Sequence, residues 1–80
     1  MKSVTLKHYA VFREQRGLAS EEYETAARTL AELYRDLAEK HGFSLPSSVV
    51  KAAVNESFTS MESSFEEGDE IVFVPPVAGG

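Results

Sequence analysis

One long helical pattern, set between segments with strand patterns, most constrains the fold of this 80-residue chain. Six residues recur at the spacing of an apolar helix face, namely Leu30, Leu33, Tyr34, Leu37, Ala38 and His41. Thr29 and Glu32 fit a capping box, in which each side chain bonds the backbone N–H of the other residue. Gly42 suits a left-handed C-cap, and Pro46 prevents the helix from resuming. The pattern therefore predicts a helix from about Leu30 to His41.

Alternating apolar and polar residues predict strands on both sides of this helix. The predicted strands are 4–9, 22–26, 51–55, 58–61 and 70–74, with a helical turn at 10–14 ended by Gly17, and a turn at Asn55–Glu56. The run at 70–74 is β-branched and aromatic, which is typical of a central strand. Strand parity predicts that Val4, Leu6 and His8 face inward and that Tyr9 and Val74 face outward.

The order of these elements predicts an α+β fold. A parallel pairing of the first and last strands requires a long crossover, and the helical segment supplies it. The arrangement is a β-grasp (ubiquitin-like) fold, with a mixed sheet of four to five strands and one main helix packed on one face. We expect a β-grasp domain at 1–76 and a flexible Gly-Gly tail at 77–80 that leaves from the middle of the sheet.

The charge of the chain restricts its partners. Thirteen acidic residues against eight basic ones give a net charge of −5, whereas phosphate contacts need clustered Lys and Arg, so no nucleic acid is expected. We expect the acids, Glu21 among them, to be solvated. No run approaches the roughly 20 apolar residues that cross a bilayer, and the first residues lack the apolar region of a signal peptide, so we expect a cytoplasmic protein without membrane contact. No cysteine is present, and His8 and His41 lack metal-ligand spacing, so no metal is expected.

The sequence ends in a slim arm, Phe73-Val74-Pro75-Pro76-Val77-Ala78-Gly79-Gly80. The prolines favour an extended run, and the small residues after them, from Val77 to Gly80, span roughly 13 Å at about 3.3 Å per residue. We expect the α-carboxylate of Gly80 to be the reactive group, delivered into a narrow pocket of another protein. A cloning scar or an inert end is the alternative interpretation.

Three segments resemble the MoaD family, the small subunit of molybdopterin synthase. They are 52–55 (Ala-Ala-Val-Asn), 68–71 (Gly-Asp-Glu-Ile) and 73–80, and Tyr9-Ala10 with Arg13-Glu14 resembles the first strand and turn of that family. The Gly-Asp-Glu turn is shared with many ubiquitin-like folds. The Pro-Pro-Val-x-Gly-Gly ending after an apolar strand is much more specific.

This resemblance implies a sulfur carrier in molybdenum cofactor biosynthesis that is not an enzyme on its own. An adenylating activating enzyme (MoeB-like) would use ATP on the carboxylate of Gly80, and a sulfur donor would convert the adenylate to a thiocarboxylate. The tail would enter the molybdopterin synthase large subunit (MoaE-like), with Gly79 allowing passage, and give its sulfur to a cyclic pyranopterin. The chain itself would bind no cofactor. The resemblance also suggests a heterotetramer of two large and two small subunits.

Parity and resemblance together predict a docking surface at the root of the tail. Tyr9 and Val74 would lie together on the outward face, with Phe58 nearby, and an exposed apolar patch there would bind a partner. The predicted partner-binding residues are Tyr9, Phe58, Val74, Pro75, Pro76, Val77 and Ala78. The alternative is that these side chains cover the sheet or pack under a loop.

Three other functions fit the same sequence. The chain would serve as a sulfur carrier for another pathway, such as thiamine synthesis, or as a ubiquitin-like modifier joined through Gly80 to lysines of other proteins. The third is a β-grasp binding module with an inert tail, for which deletion of Gly79 and Gly80 would leave function intact.

Overall fold

The computed structural model describes residues 1–76. Its elements are β1 (Lys2–Lys7), α1 (Ala10–Arg16), β2 (Ser20–Thr25), α2 (Leu30–His41), a 3-10 turn (Ser47–Val49), β3 (Lys51–Val54), β4 (Ser57–Thr59) and β5 (Glu70–Val74). The five strands form one mixed sheet in the order β2-β1-β5-β3-β4. Strand β5 runs parallel to β1 and antiparallel to β3. The predicted β-grasp fold, with its parallel first and last strands and its central β5, is confirmed.

The core lies between the sheet and α2. Its largest fully buried aliphatic side chains are Val4, Leu6 and Ile71 from the sheet and Leu30, Leu33 and Leu37 from α2. Each such side chain contributes about 1.5–3 kcal/mol through burial. The ring of Tyr34 packs edge-on against Phe12 and Phe73, at 5.7 and 5.3 Å between ring centroids. These contacts fix α1 and β5 against the same helix.

The two ends of α2 lie where the capping residues place them. The Thr29 hydroxyl accepts a hydrogen bond from the Glu32 N–H at 3.2 Å, and Gly42 closes the helix at φ +70°. The reciprocal half of the predicted capping box is wrong, because the Glu32 carboxylate accepts from the Arg28 N–H at 2.9 Å instead of the Thr29 N–H. The carboxylate thus satisfies a backbone donor one residue before the cap.

The segment after β4 caps the start of α2 and shortens the predicted edge strand. The Ala31 N–H donates to the Met61 carbonyl at 2.8 Å, and the Leu30 N–H donates to the Ser63 carbonyl at 3.0 Å. Because the carbonyls of 61 and 63 are used in this way, β4 ends at Thr59 instead of continuing to Met61 as predicted. Two N–H groups of the first helical turn, which lack partners within the helix, are satisfied by this segment.

Strand β3 ends in a tight turn. Asn55 and Glu56 have φ values of +51° and +72°, the left-handed pair that a two-residue hairpin turn requires. The Asn55 side chain donates to the Asp69 carboxylate at 3.0 Å and accepts from the Glu70 N–H at 2.9 Å. The turn is therefore tied to the start of β5, at the end of the sheet opposite the tail.

Candidate functional site

The C-terminal end of β5 opens on an apolar groove, which we call the tail-root groove. It has a volume of about 660 Å³ and is lined by Tyr9, Ala10, Val11, Leu45, Val74, Pro75 and Pro76. Its volume lies within the usual range for ligand and peptide sites, and its lining is almost entirely apolar. The groove therefore lies around Pro75 and Pro76, directly after the end of β5.

Helix α1 places Tyr9 on one wall of this groove. Phe12 is buried in the core and anchors the helix, while Tyr9 precedes it in extended conformation and keeps 52% of its surface exposed. The Tyr9 carbonyl accepts hydrogen bonds from the Phe12 and Arg13 N–H groups at 3.1 and 3.4 Å. Ala10, the first helical residue, has φ +52°, a left-handed conformation that costs a non-glycine residue free energy. The half-exposed Tyr9 thus lies directly before a strained residue at the start of α1.

Strand β5 supplies the opposite wall. Ile71 and Phe73 are buried in the core, and Val72 and Val74 face outward and are half-buried, as parity predicts. Pro75 has no N–H and cannot extend the ladder, so the strand ends at Val74. Four of the predicted partner-binding residues, Tyr9, Val74, Pro75 and Pro76, are brought together here.

Leu45 and Val11 also line the groove, and the sequence interpretation did not include them. Leu45 follows α2 in an irregular loop, and its carbonyl accepts a hydrogen bond from the Tyr34 hydroxyl at 2.6 Å. No periodicity signals a loop residue of this kind. For Val11, its place in the predicted helical turn, two residues after Tyr9, was the one feature of the sequence that could have indicated a position in the groove.

Phe58 lies on the outward face but outside this groove. It pairs with Ala53 on β3, and Ala53 pairs with Val72 on β5. Phe58 is therefore level with Val72 across the sheet, two residues before Val74. Two strand spacings, roughly 9–10 Å, separate its backbone from β5. Its side chain is 70% exposed and is available for contact at the edge of the sheet. Its role in partner binding stays a prediction.

The predicted tail residues Val77, Ala78, Gly79 and Gly80 lie outside the residues that the structure describes. Their assignment as a flexible tail, and the roles predicted for them, therefore stay predictions.

A charged cluster joins α1 to β2 through Glu21. The expectation that Glu21 is solvated is wrong, because its side chain is only 13% exposed. His8 is 4% exposed, and its Nε2 lies 2.8 Å from Glu21 Oε2. Arg16 forks onto the same carboxylate, with Nε and one terminal nitrogen each at 2.8 Å. Burial opposes ionisation of Glu21, but the hydrogen bonds from Arg16 and His8 outweigh it and hold the pKa of this carboxyl below its usual value.

His41 lies close to this cluster at the end of α2. Its ring is 6.2 Å from that of Phe43, and its Nε2 is buried without a hydrogen-bond partner among residues 1–76. Burial, reinforced by the positive charge of Arg16, lowers the pKa of His41.

Within the described residues, no three His, Asp or Glu side chains lie close enough together to hold a metal ion. None of the helices described in 1–76 has the length and apolar character needed to cross a bilayer.

Comparison with solved structures gives full-length matches. Subunit 1 of the molybdopterin-converting factor of Helicobacter pylori, seen in complex with subunit 2, aligns at TM-score 0.65 and 26% identity over 98% of this chain and 99% of that chain. A Pyrococcus furiosus protein assigned as subunit 1 of a molybdopterin converting factor aligns at TM-score 0.76 and 24% identity, over 96% of this chain and 100% of that chain. SAMP1, a small archaeal modifier protein of Haloferax volcanii, aligns at 0.75 and 20%, over 98% and 99%.

A comparison with curated protein sequences found no significant match. The family comparison is more informative, because the sequence model of the ThiS family matches residues 6–80. That range includes both walls of the tail-root groove and the Gly-Gly ending. The chain belongs to the ThiS family.

Proposed function

We propose that this chain is a sulfur carrier whose Gly80 carboxylate is adenylated and thiocarboxylated, and that it is the small subunit of a molybdopterin synthase. The observation that supports this best is that the central strand β5 leads into Pro75 and Pro76 at an apolar groove, and that these prolines begin the Pro-Pro-Val-x-Gly-Gly ending of the sequence. The family match through Gly80 supports the carrier role in general.

The chemistry of a terminal carboxylate supports a division of labour between this chain and its partners. A carboxylate is a poor electrophile, so ATP-dependent adenylation by an activating enzyme must first give it a leaving group. Attack by a sulfur donor then releases AMP and leaves a thiocarboxylate, which is a nucleophilic anion at neutral pH. The groups that bind phosphate and stabilise charge would belong to the activating enzyme and the large subunit.

The tail-root groove supports docking of the large subunit beside the tail. Tyr9 is an exposed aromatic residue at its wall, and aromatic residues of this kind are enriched among the side chains that dominate binding energy. Val74, Pro75 and Pro76 continue the same apolar surface onto the arm. A partner that covers this surface would therefore orient the carboxyl end at the same time, in one binding event.

The test uses the purified full chain with an adenylating enzyme, ATP and a sulfur donor. We expect intact-mass measurement to show the replacement of one oxygen by sulfur. Addition of a molybdopterin synthase large subunit and cyclic pyranopterin should then give the dithiolene product. A variant lacking Gly80 and a variant with one bulky residue added after Gly80 are the matched controls, and both should give no sulfurated pterin. Full activity of the extended variant, without trimming, would refute the proposal.

The same experiment separates the competing functions. A thiocarboxylate that forms but does not sulfurate the pterin would assign the chain to another sulfur-transfer pathway. Amide linkage of Gly80 to lysines of other proteins would instead support a ubiquitin-like modifier, a function that the name of the Haloferax protein brings into consideration.

A further inference from the structure

Lys51 lies directly beside the C-terminal end of β5. It is the first residue of β3 and pairs with Val74, the last residue of β5. The next pair along, Ala52 with Phe73, is buried in the core, so Lys51 and Val74 share the outward face. In an antiparallel pair the two Cα atoms are about 4.5–5.5 Å apart. The backbone of an exposed lysine is thus fixed beside the last residue of β5.

The other lysines of the described part of the chain have partners. Lys2 donates to the Phe65 carbonyl at 2.6 Å, Lys7 is paired with Glu70 at 3.4 Å, and Lys40 lies 5.4 Å from the ring centroid of Tyr23. No ion pair, hydrogen bond or aromatic contact joins the Lys51 ammonium to another residue within 1–76. Its side chain is exposed. Among these amines Lys51 is therefore the one that needs to break no contact in order to react.

We propose that Lys51 is the internal acceptor of the activated C-terminus, so that Nζ and the carbonyl of Gly80 form an amide and close a ring. The inference rests on the proposed function, since it needs an activated carboxyl. The lone pair of the neutral amine attacks the acyl carbon of the adenylate, the bond from that carbon to the AMP oxygen breaks, and AMP leaves with the electron pair. The proton of the amine passes to water, and no atom is oxidised or reduced.

The length of the arm permits this reaction. Six residues, 75–80, follow Val74 and span at most about 20 Å when extended, several times the gap between Val74 and Lys51. By length alone, the roughly 13 Å of chain after the two prolines, which themselves span about 6–7 Å, is enough to reach Lys51. A short tether of this kind gives an effective concentration on the order of millimolar, about 1000-fold above that of lysines on other proteins at micromolar concentration.

The remaining amines are placed less well. Lys7 pairs with Val72 on β5, but its ammonium is held by Glu70, which lies toward the start of the strand and away from the tail. Thr5 pairs with Glu70, the first residue of β5. Lys2 and the N-terminus precede Thr5 on the parallel strand β1, so they lie at the end of the sheet opposite Val74. Lys40 is on α2 and contacts Tyr23. Among the lysines of residues 1–76, Lys51 is therefore the acceptor that pairs with the last residue of β5 and has no contact to break.

This reaction would limit the lifetime of an activated carrier without a partner. A subunit bound at the tail-root groove holds the arm in its own site and separates the acyl group from Lys51. In its absence the activated carbonyl is consumed by the nearest amine. The carrier would thus inactivate itself and would not acylate lysines of unrelated proteins.

The test uses the full chain carrying an alkyl thioester at Gly80, prepared by thiolysis of an intein fusion, so that no activating enzyme is required. We expect loss of the thiol and a product one water lighter than the free acid, with peptide mapping that locates an amide between Gly80 and Lys51. The rate should be independent of protein concentration, because the reaction is intramolecular. Lys51→Arg should slow ring formation at least about tenfold, given the loss of the tethered amine. Lys7→Arg, the matched control, should leave it unchanged.

Three outcomes would overturn the inference. The first is that the thioester only hydrolyses, although added hydroxylamine, a small nucleophile, captures it normally. The second is that Lys51→Arg forms the ring as fast as the unchanged chain. The third is that chain dimers form instead, at a rate that rises with protein concentration. Because the thioester is made chemically, these outcomes are independent of whether an activating enzyme forms the thiocarboxylate, which is the separate test of the proposed function.

Discussion

His8 and Glu21 are joined by a 2.8 Å hydrogen bond between Nε2 and Oε2, in a region where their side chains are only 3% and 13% exposed. His8 follows β1 and Glu21 lies in β2, so the bond ties these two neighbouring strands. Arg16, in the last turn of α1, binds the same carboxylate through two nitrogens. One carboxylate therefore joins α1, the helix that begins directly after Tyr9, to the edge strand β2.

We expect the stability conferred by Glu21 to be lost in acid. Its folded-state pKa lies below the ordinary value of 4.5, so its contribution is fully present above that value and declines as the pH falls through the folded-state pKa. Replacement Glu21→Gln should lower the free energy of unfolding at pH 7 by about 1.5–3 kcal/mol, the usual range for charged hydrogen bonds. Urea unfolding between pH 3 and 7 measures both effects. Glu22→Gln, on the exposed side of the same strand, is the control, and equal losses for the two variants would contradict the assignment.

His41 should produce a second pH dependence, near neutrality. Burial keeps its folded-state pKa below 6.5, so the unfolded chain binds the proton more readily. The free energy of unfolding should accordingly decrease as the pH falls from 6.5 through the folded-state pKa. His41→Leu removes both the titration and a buried nitrogen without a partner within 1–76, and it should flatten this part of the profile while leaving stability at pH 7.5 unchanged or raised. Thermal unfolding at pH 5.5 and 7.5 tests this, and an unchanged slope in the variant would count against it.

The parts of this molecule that local chemistry determines were predictable from the sequence. The bounds of α2 follow from Thr29 and Gly42, and the central place of β5 follows from its β-branched run and from the crossover rule. Strand parity predicted the outward position of Val74 in the tail-root groove, whereas Pro75 and Pro76 were predicted from the composition of the arm and its resemblance to the MoaD family.

Contacts between distant loops were not predictable in this way. Leu45 reaches the groove because the Tyr34 hydroxyl holds its carbonyl, and Glu21 is shielded because Arg16 and His8 converge on it from other elements. Both arrangements depend on how α1 and the loop after α2 pack on the sheet. Composition and periodicity contain no information about that packing.

The backbone of Ala10 offers a test of stored strain. At φ +52° an alanine is disfavoured by roughly 1–2 kcal/mol, and glycine adopts this conformation without that penalty. Ala10→Gly should therefore stabilise the fold by about 1 kcal/mol in urea unfolding. The matched control, Ala38→Gly in the interior of α2, should destabilise it by about 1 kcal/mol or more. A loss of stability in both variants would mean that Ala10 is not strained.

The apolar side chains around the tail should contribute unequally to binding of the large subunit. Tyr9 lines the tail-root groove, so Tyr9→Ala should weaken binding about tenfold or more, as for an aromatic residue at an interface centre. Phe58→Ala should have a smaller effect, because Phe58 lies at the sheet edge. Val49, another exposed apolar residue, lies outside the described groove lining, and Val49→Ala is the control that should bind normally. Calorimetric titration of each variant with the large subunit measures these affinities. Since Tyr9, Phe58 and Val49 are all exposed, their variants should fold equally well, and equal affinity for all three would place the docking surface away from the groove.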